Sequence, residues 1–380
     1  MKINPLILVV DQKLPEPDRD AGSRSTFHVM RGLVAAGMDV KFWSVEMSFV
    51  ARYAEQLAGN GIEVLARDGQ LYSSSDLKTW LELNQAALSW VLLNRPDIAE
   101  YFLFILDGKP SFKLAYYGHD LHFRRIEREA IVQYSDSDLM TRSQQMRMKE
   151  YWIWRQTDLV YYPASDEVRE VQAWSDQASS PVLVRQLPVF AYTEDEMTTG
   201  MMQRQPPESL RLLFVAGYAH RPNTDAALWF LRECWPLVRF RYPSAQLWLV
   251  GSNPPPEIVA FSSSSITVTG AISDSDLSDI YHSSRVAIAP IRHGAGVNGK
   301  IVEAMRYGLP CVCTPEAARG FEHYEMALRV ESKPQDFARA CRELLTDNNL
   351  WTNQVDAAKE YLKEHFSEHC LQEALQPLMS

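Results

Sequence analysis

The stretch Val286–Gly320, VAIAPIRHGAGVNGKIVEAMRYGLPCVCTPEAARG, constrains the fold of this chain more than any other. Val286–Pro290 is an apolar run with the length of a buried strand. A loop with Gly294, Gly296 and Gly299 follows, and Ile301, Ala304 and Met305 then recur at i, i+3 and i+4, as on one face of a helix. Gly308 and Pro310 stop that helix. Leu309–Thr314 reads as a second strand, so the whole is a βαβ unit with a phosphate-binding kind of loop.

Glycine lets a backbone approach a ligand closely, and the first N–H groups of a helix are unpaired and partly positive. A nucleotide diphosphate fits such a place. Lys300 falls in the first helical turn, where a cation opposes the helix dipole, and a bound phosphate would remove that conflict. Glu303, one turn on, has acceptor oxygens for a pair of ribose hydroxyls. A surface loop with a snorkelling lysine and a solvated glutamate fits the same spacing.

A chain of 380 residues exceeds what one core usually supports, so two domains are expected. With 46% hydrophobic and 23% charged residues it is an ordinary globular protein, and a net charge of −10 argues against a dedicated nucleic-acid binder. Cys234, Cys311, Cys313, Cys341 and Cys370 include no C-x-x-C pair, so buried, reduced thiols in a cytoplasm are expected and a zinc site is not. Leu6–Val10 is too short for a signal peptide and no stretch approaches the ~20 apolar residues of a membrane span, so membrane contact would be peripheral.

Leu6–Val10 reads as a buried first strand and Asp11–Ser25 as a polar loop. A helix follows on Phe27, Met30, Leu33 and Val34, ended by Gly37, and Val40–Trp43 is the next strand. That loop lies at the carboxyl end of the first strand, where open α/β sheets bind ligands. Asp18, Asp20 and Arg24 are candidate contacts there, with Ser23 or Ser25 as the helix cap. Gly61–Ala66 and Lys113–Tyr117 are further strands, with helical patterns between them. YYGHDLHFRR then puts His119, Asp120 and His122 at the same edge; no third convergent ligand stands nearby for a metal, and capping the next helix would equally explain the histidines.

From His122 to Arg155 the chain is helical, with seven basic and five acidic side chains beside Tyr151, Trp152 and Trp154. Such a face suits an anionic lipid surface, but a solvated helix with core aromatics explains the same residues and is the reading preferred. Leu159–Tyr162 is a strand, Ser165 caps a helix over Asp166–Trp174, and Val182–Gln186 is the last strand of this half. Tyr192–Ser209, without periodicity and ending in Pro206-Pro207, reads as a linker. A second α/β repeat begins with Arg211–Ala216 and a loop of Gly217, His220, Arg221, Pro222 and Asn223. A helix over Thr224–Arg239 turns Ala227, Phe230, Leu231, Cys234 and Val238 inward. Gln246–Gly251 and Ile266–Gly270 continue the strands, and helices run from Asp336 to the end.

GAGVNGKIVEAMRYGLPCVCT is similar to the donor-nucleotide motif of retaining glycosyltransferases of the GT-B fold, family 4 (glycosyl transferases group 1). There G-x-G is followed by E-A-M-A-x-G-x-P-V-V-A-T. The resemblance implies an α/β protein of two Rossmann-like β/α/β domains facing across a cleft. Residues 1–190 would bind the acceptor and residues 210–362 the nucleotide-sugar, with a linker at 191–209 and a C-terminal helix in 363–380 crossing back to the first domain. It implies that Glu303 holds the ribose and Lys300 the diphosphate, with Gly294, Gly296, Val297 and Asn298 as loop contacts. The loop with Gly22 and Ser23 would face the donor phosphates and sugar. His119 matches the histidine that touches the donor sugar near the reacting carbon, with His122 as runner-up. Asp18, Arg24, Asp120 and His122 fall to the acceptor.

The chain departs from the pattern where a second acid would stand (Ala295), where an arginine follows the strand glycine (Tyr218 after Gly217) and where a lysine comes next (Pro222-Asn223). Arg221, Arg292 and Lys300 are the cations expected to compensate.

The reading is thus a retaining glycosyltransferase that moves a hexose from a nucleotide diphosphate-sugar to a saccharide or lipid-linked acceptor. His119, Lys300 and Glu303 would be central, and no metal or other cofactor would be needed. A cytoplasmic place, at the inner face of the plasma membrane where peripheral, and bacterial surface-polysaccharide assembly follow by analogy. The rivals are a sugar-nucleotide epimerase of the same fold, which wants acidic bases in the first domain, and a degenerate module that binds without turnover.

Overall fold

The computed structural model describes residues 4–106, 108–132, 137–179, 181–201, 205–294 and 296–379. Two compact units result: Met1–Ala191 with Glu368–Ser380, and Tyr192–Ser367.

The first unit contains β1 (Leu6–Asp11), β2 (Asp39–Ser44), β3 (Ile62–Val64), β4 (Ala66–Arg67), β5 (Gln70–Leu71), β6 (Leu88–Asn94), β7 (Lys113–Tyr117), β8 (Leu159–Tyr162) and β9 (Leu183–Gln186). β4 and β5 pair as a separate antiparallel hairpin; the others make one sheet in the order β3-β2-β1-β6-β7-β8-β9. Every pairing in that sheet is parallel. All of β1 is buried, as a strand covered on both faces requires. Leu6, Leu8 and Val10 face one core with Phe102 and Trp154; Ile7 and Val9 face another with Met30, Leu33, Leu371 and Leu375. Chain order reverses between β1 and β6, and outside their carboxyl ends an open sheet leaves its crevice.

The last helix, Glu368–Leu375, packs on the helix Ala21–Ala35 of the first unit. Gly32 makes room for it: a Cβ there would lie 2.8 Å from Leu371 and 2.9 Å from Leu375. Gln372 Nε2 donates to Gly32 O at 2.8 Å, and the Tyr161 hydroxyl to Ala374 O at 2.7 Å.

The second unit holds β10 (Arg211–Val215), β11 (Gln246–Val250), β12 (Ile266–Val268), β13 (Val286–Ala289), β14 (Cys311–Cys313) and β15 (Leu328–Val330), all parallel in the order β12-β11-β10-β13-β14-β15. Its reversal falls between β10 and β13. The predicted Thr224–Arg239 helix is longer and interrupted, running Arg221–Trp229, a π turn Phe230–Cys234, then Trp235–Arg241. Pro236 has no N–H for the ladder, which accounts for the widened turn. Its five inward residues are all buried.

Several expectations need correction. The linker stretch, read as lacking helical periodicity, contains a helix, Glu194–Met201, opened by a reciprocal cap: Glu196 N donates to Thr193 Oγ1 at 3.0 Å and Thr193 N to Glu196 Oε2 at 2.9 Å. The first helix is capped by Asp20, not Ser23 or Ser25, and starts at Ala21. Ser165 opens its helix but caps nothing; Ala164 occupies the cap without a side-chain bond. The β4–β5 hairpin and strands β6 and β15 were not expected. Among the described residues no helix is long and apolar enough to cross a membrane, and Cys234, Cys311, Cys313 and Cys341 are free, buried thiols.

Candidate active site

In the second unit the site gathers at the carboxyl ends of β10, β13 and β14. The glycine loop after β13 turns at Gly296, whose φ of 72° is left-handed, and leads to Asn298. Asn298 caps the helix Gly299–Arg306 by accepting from Lys300 N at 3.3 Å. Thr314, after β14, donates to Ile291 O and accepts from Ala317 N at 3.3 Å, tying the two loops together. Gly294, Gly296, Val297 and Asn298 are all partly exposed. Ala295, the missing second acid, lies outside the described residues.

Lys300 is half-buried, and loss of water pushes its ammonium down to about 8, against the pull of Glu303. Glu303 accepts from the Tyr281 hydroxyl at 3.3 Å, and Tyr281 is itself stacked on Tyr307 with centroids 4.3 Å apart. Lysine, glutamate and capped N-terminus thus share two turns of one helix.

In the loop after β10, Gly217 is exposed and its carbonyl accepts from Asn223 Nδ2 at 2.7 Å. Tyr218 turns inward against Phe214, buried, with no partner for its hydroxyl among the described residues, so it does not stand in for an arginine. Arg221, the first residue of its helix, is exposed and forms no ion pair among the described residues. Arg292 is matched instead: its Nε donates to Asp225 Oδ2 at 2.9 Å and its Nη2 to Oδ1, and that carboxylate raises its pKa. Of the three expected cations, Lys300 and Arg221 keep their charge for a ligand; Arg292 is committed to Asp225.

In the first unit the residues collect at the ends of β1, β6 and β7. Asp11 is buried, accepting from Thr26 Oγ1 at 3.0 Å and from Arg95 Nε at 2.9 Å. Arg95 follows β6 with a φ of 62°, and a Cβ at Gly22 would lie 3.0 Å from its guanidinium. His119 follows β7 with a φ of 61°, its ring 4.1 Å from that of Tyr117 and its Nε2 3.0 Å from Asn94 Oδ1. Burial, with the Arg95 charge nearby, holds its imidazole well below the ordinary value, so it is neutral.

His122 is the opposite case. Burial opposes its charge, but Asp120 Oδ1 lies 2.8 Å from Nδ1 and raises its pKa. Asp120 is in turn held far below the carboxylate range: burial works against this, and His122 with Arg125, whose Nε is 3.1 Å from Oδ2, outweighs it. The remaining expected contacts have local tasks. Asp18 binds Arg52 and accepts from the Tyr53 hydroxyl at 2.8 Å. Ser23 serves the Asp20 cap, its N and Oγ at 2.7 and 2.8 Å, and Arg24 Nε donates to Pro17 O at 3.0 Å.

Glu150 was not anticipated. Fully buried, it caps the helix His122–Val132 through Phe123 N at 3.0 Å and accepts from the Tyr162 hydroxyl at 2.9 Å. Burial pushes its carboxyl from 4.5 up to about 7. Between those values the folded protein holds a proton that the unfolded chain has released. Its stabilising share is therefore full below 4.5 and lost as pH rises through about 7, on the order of 3 kcal/mol. Glu150→Gln should remove that decline; urea unfolding of both proteins at pH 5 and pH 8 checks it, and parallel pH slopes would refute it.

Among the described residues no group of three or more His, Cys, Asp or Glu is placed to hold a metal. Residues 209–347 match the family described as Glycosyl transferases group 1. Residues 209–347 form a group 1 glycosyltransferase domain within the second unit. The matched residues of that domain include Gly217, Arg221, the glycine loop, Lys300 and Glu303. No curated protein matches the chain. Solved structures match it along nearly its whole length. Sucrose-phosphate synthase from Thermosynechococcus elongatus is 16% identical with a TM-score of 0.67, over 99% of this chain and 98% of that one. HepE from Anabaena, in complex with UDP and glucose, is 12% identical with a TM-score of 0.66, over 98% and 99%. WaaG, a glycosyltransferase involved in lipopolysaccharide biosynthesis, is 15% identical with a TM-score of 0.62, over 98% and 99%. At such identities the likeness shows the fold, two Rossmann-like α/β units of the GT-B kind, with the glycosyltransferase domain within the second.

Proposed function

We propose that this glycosyltransferase is a retaining enzyme that moves a hexose from a nucleotide diphosphate-sugar to a saccharide or lipid-linked acceptor. The observation that carries this reading is Lys300 and Glu303 one turn apart behind the Asn298 cap. The diphosphate would meet Lys300, Arg221 and the loop N–H groups, and Glu303 would take the ribose hydroxyls. The acceptor hydroxyl would attack the anomeric carbon from the face the diphosphate leaves. The bond from that carbon to the phosphate oxygen breaks, and the departing phosphate takes the hydroxyl proton. Lys300 stabilises the developing charge, so no metal is needed for the step.

HepE is described with UDP and glucose, which makes a UDP-hexose the first donor to try. WaaG, described with lipopolysaccharide biosynthesis, supports an acceptor of bacterial surface-polysaccharide assembly, in a cytoplasm that keeps the thiols reduced. The basic helices of the first unit offer little net charge to a membrane: Arg124 pairs with Glu127 and Glu170, Arg147 with Glu127, and Lys149 with Asp97 and Glu100. Peripheral contact would rest on Phe104, 73% exposed and stacked on Trp152, and on Met148. Asp11, Asp120 and Glu150 are engaged in ion pairs or hydrogen bonds, which leaves an epimerase without a free acid at these positions.

Thermal unfolding with UDP, GDP and dTDP tests the donor site. A nucleotide at ~100 times its Kd should add ~2.7 kcal/mol, and a donor panel read by NMR should show product with the donor's anomeric configuration. No shift with any of the three would favour a degenerate module; inverted product would overturn retention.

A further inference from the structure

We infer that Asn94 is a positioning residue that fixes the tautomer of His119, so that the imidazole meets a substrate hydroxyl as a hydrogen-bond acceptor. This rests on the glycosyltransferase reading for the identity of the substrate, a hexose, and on geometry for the rest.

Asn94 is the last residue of β6 and is 1% exposed. Its Nδ2 donates to Val10 O at 3.0 Å. A carbonyl oxygen only accepts, and the one donor a carboxamide has is its NH2 end, which settles which end faces β1. Oδ1 is thereby turned to His119 Nε2, at 3.0 Å. An amide oxygen only accepts, so Nε2 must carry the proton. A neutral imidazole has one N–H, and Nδ1 is left with a bare lone pair.

The ring keeps its charge state and its place for separate reasons. Arg95 and His122 stand on the positive side of its surroundings and Asp120 on the negative; with burial leading, the sum keeps the ring neutral. Tyr117, paired with Asn94 across β6 and β7, lies beside it. Nδ1 has no protein partner among the described residues. Only a donor can satisfy it, and on a hexose that is a hydroxyl. A donor sugar lacking that hydroxyl leaves the lone pair unserved, which is how a site built to bond a hydroxyl rejects the deoxy analogue.

The test uses the full chain labelled with 15N-histidine, with His119→Gln assigning the resonance. In the wild type His119 should show a protonated Nε2 and a bare Nδ1 throughout pH 6–8. In Asn94→Leu, which keeps the shape without the acceptor, the two tautomers should mix. In Asn94→Asp the Nε2 proton should stay while the ring becomes charged below pH 7. Donor turnover should show kcat falling roughly tenfold in Asn94→Leu, nucleoside diphosphate Kd moving less than twofold, and discrimination between hexose and deoxyhexose donors lost. A proton on Nδ1 in the wild type, or an unchanged kcat and unchanged discrimination in Asn94→Leu, would overturn the inference. If the wild type turns over no nucleotide-sugar at all, the enzymatic reading falls and the spectra still decide the tautomer.

Discussion

Gly251→Ala is expected to cost the second unit on the order of 4 kcal/mol and to lower its melting temperature by roughly 10 °C. Gly251 follows directly on β11 with a φ of 139°, a region that side chains rarely occupy. An added Cβ would collide with the carbonyl oxygen of Ala216 and stand 2.7 Å from its carbon. The obstacle is main chain, which cannot swing aside as a lysine tip would. Ala216 also leads directly into Gly217, so relief of the clash displaces the loop on which the donor site depends. Gly217→Ala is the matched control: its Cβ would meet only Ser252 Oγ, at 3.7 Å. That variant should melt within about 1 °C of the wild type. Calorimetry of the three proteins decides the matter, and a Gly251→Ala protein as stable as Gly217→Ala would show that the β10–β11 edge yields easily.

What could be read from the chain alone follows the same division between local and distant causes. Strand β13, the glycine loop and the helix bearing Lys300 were legible because each signal lies within a few residues of its effect: an apolar run, a left-handed turn, a spacing of three and four. Lys113–Tyr117 and Leu159–Tyr162 matched their strands for that reason. Strand β6 was not legible. LSWVLLN runs through Arg95-Pro96 into the apolar helix Pro96–Ile105, and an unbroken hydrophobic stretch has no period that separates strand from helix. The one available mark was Pro96, which bars its predecessor from the helix. With β6 hidden, Asn94 and Arg95 were hidden too, although they frame His119 and Asp11. The helix Glu194–Met201 left a readable trace, the T-x-x-E of its cap, masked by the polar composition around it. Side-chain pairings over long separations left none: Arg292 meets an aspartate 67 residues earlier, and His119 an asparagine 25 residues earlier. Hence Arg292, expected as a compensating cation, is already neutralised in the fold, and nothing in its neighbours along the chain says so.

Lys300→Met should weaken nucleoside diphosphate binding by roughly 30- to 100-fold, the loss of a charge-assisted contact worth about 2–3 kcal/mol, and at the same time make the free protein more stable. The second effect follows from the ammonium's position. Its pKa falls from 10.5 to about 8 on folding, chiefly through burial. The charge therefore costs stability at every pH below about 8, and the cost fades as pH rises from there toward 10.5. Methionine keeps the stem and removes the charge, returning on the order of 2 kcal/mol at pH 7. A bound diphosphate reverses the balance by holding the lysine protonated, so binding above pH 8 must take up a proton, and Kd should rise about tenfold per unit there. Titration calorimetry at pH 7, 8 and 9, with urea unfolding of both proteins, separates these effects. Wild-type affinity flat across that range, or a Lys300→Met protein that binds as tightly and unfolds as easily as its parent, would mean that Lys300 faces no phosphate. Arg221→Ala gives the complementary measurement: Arg221 is exposed and without an ion pair among the described residues, so its removal should weaken binding about tenfold without changing stability. A lysine half-buried at a stability cost, with an arginine held out in solvent on another helix of the same unit, is the arrangement expected when one cation is preorganised for an anion and the other is recruited by it.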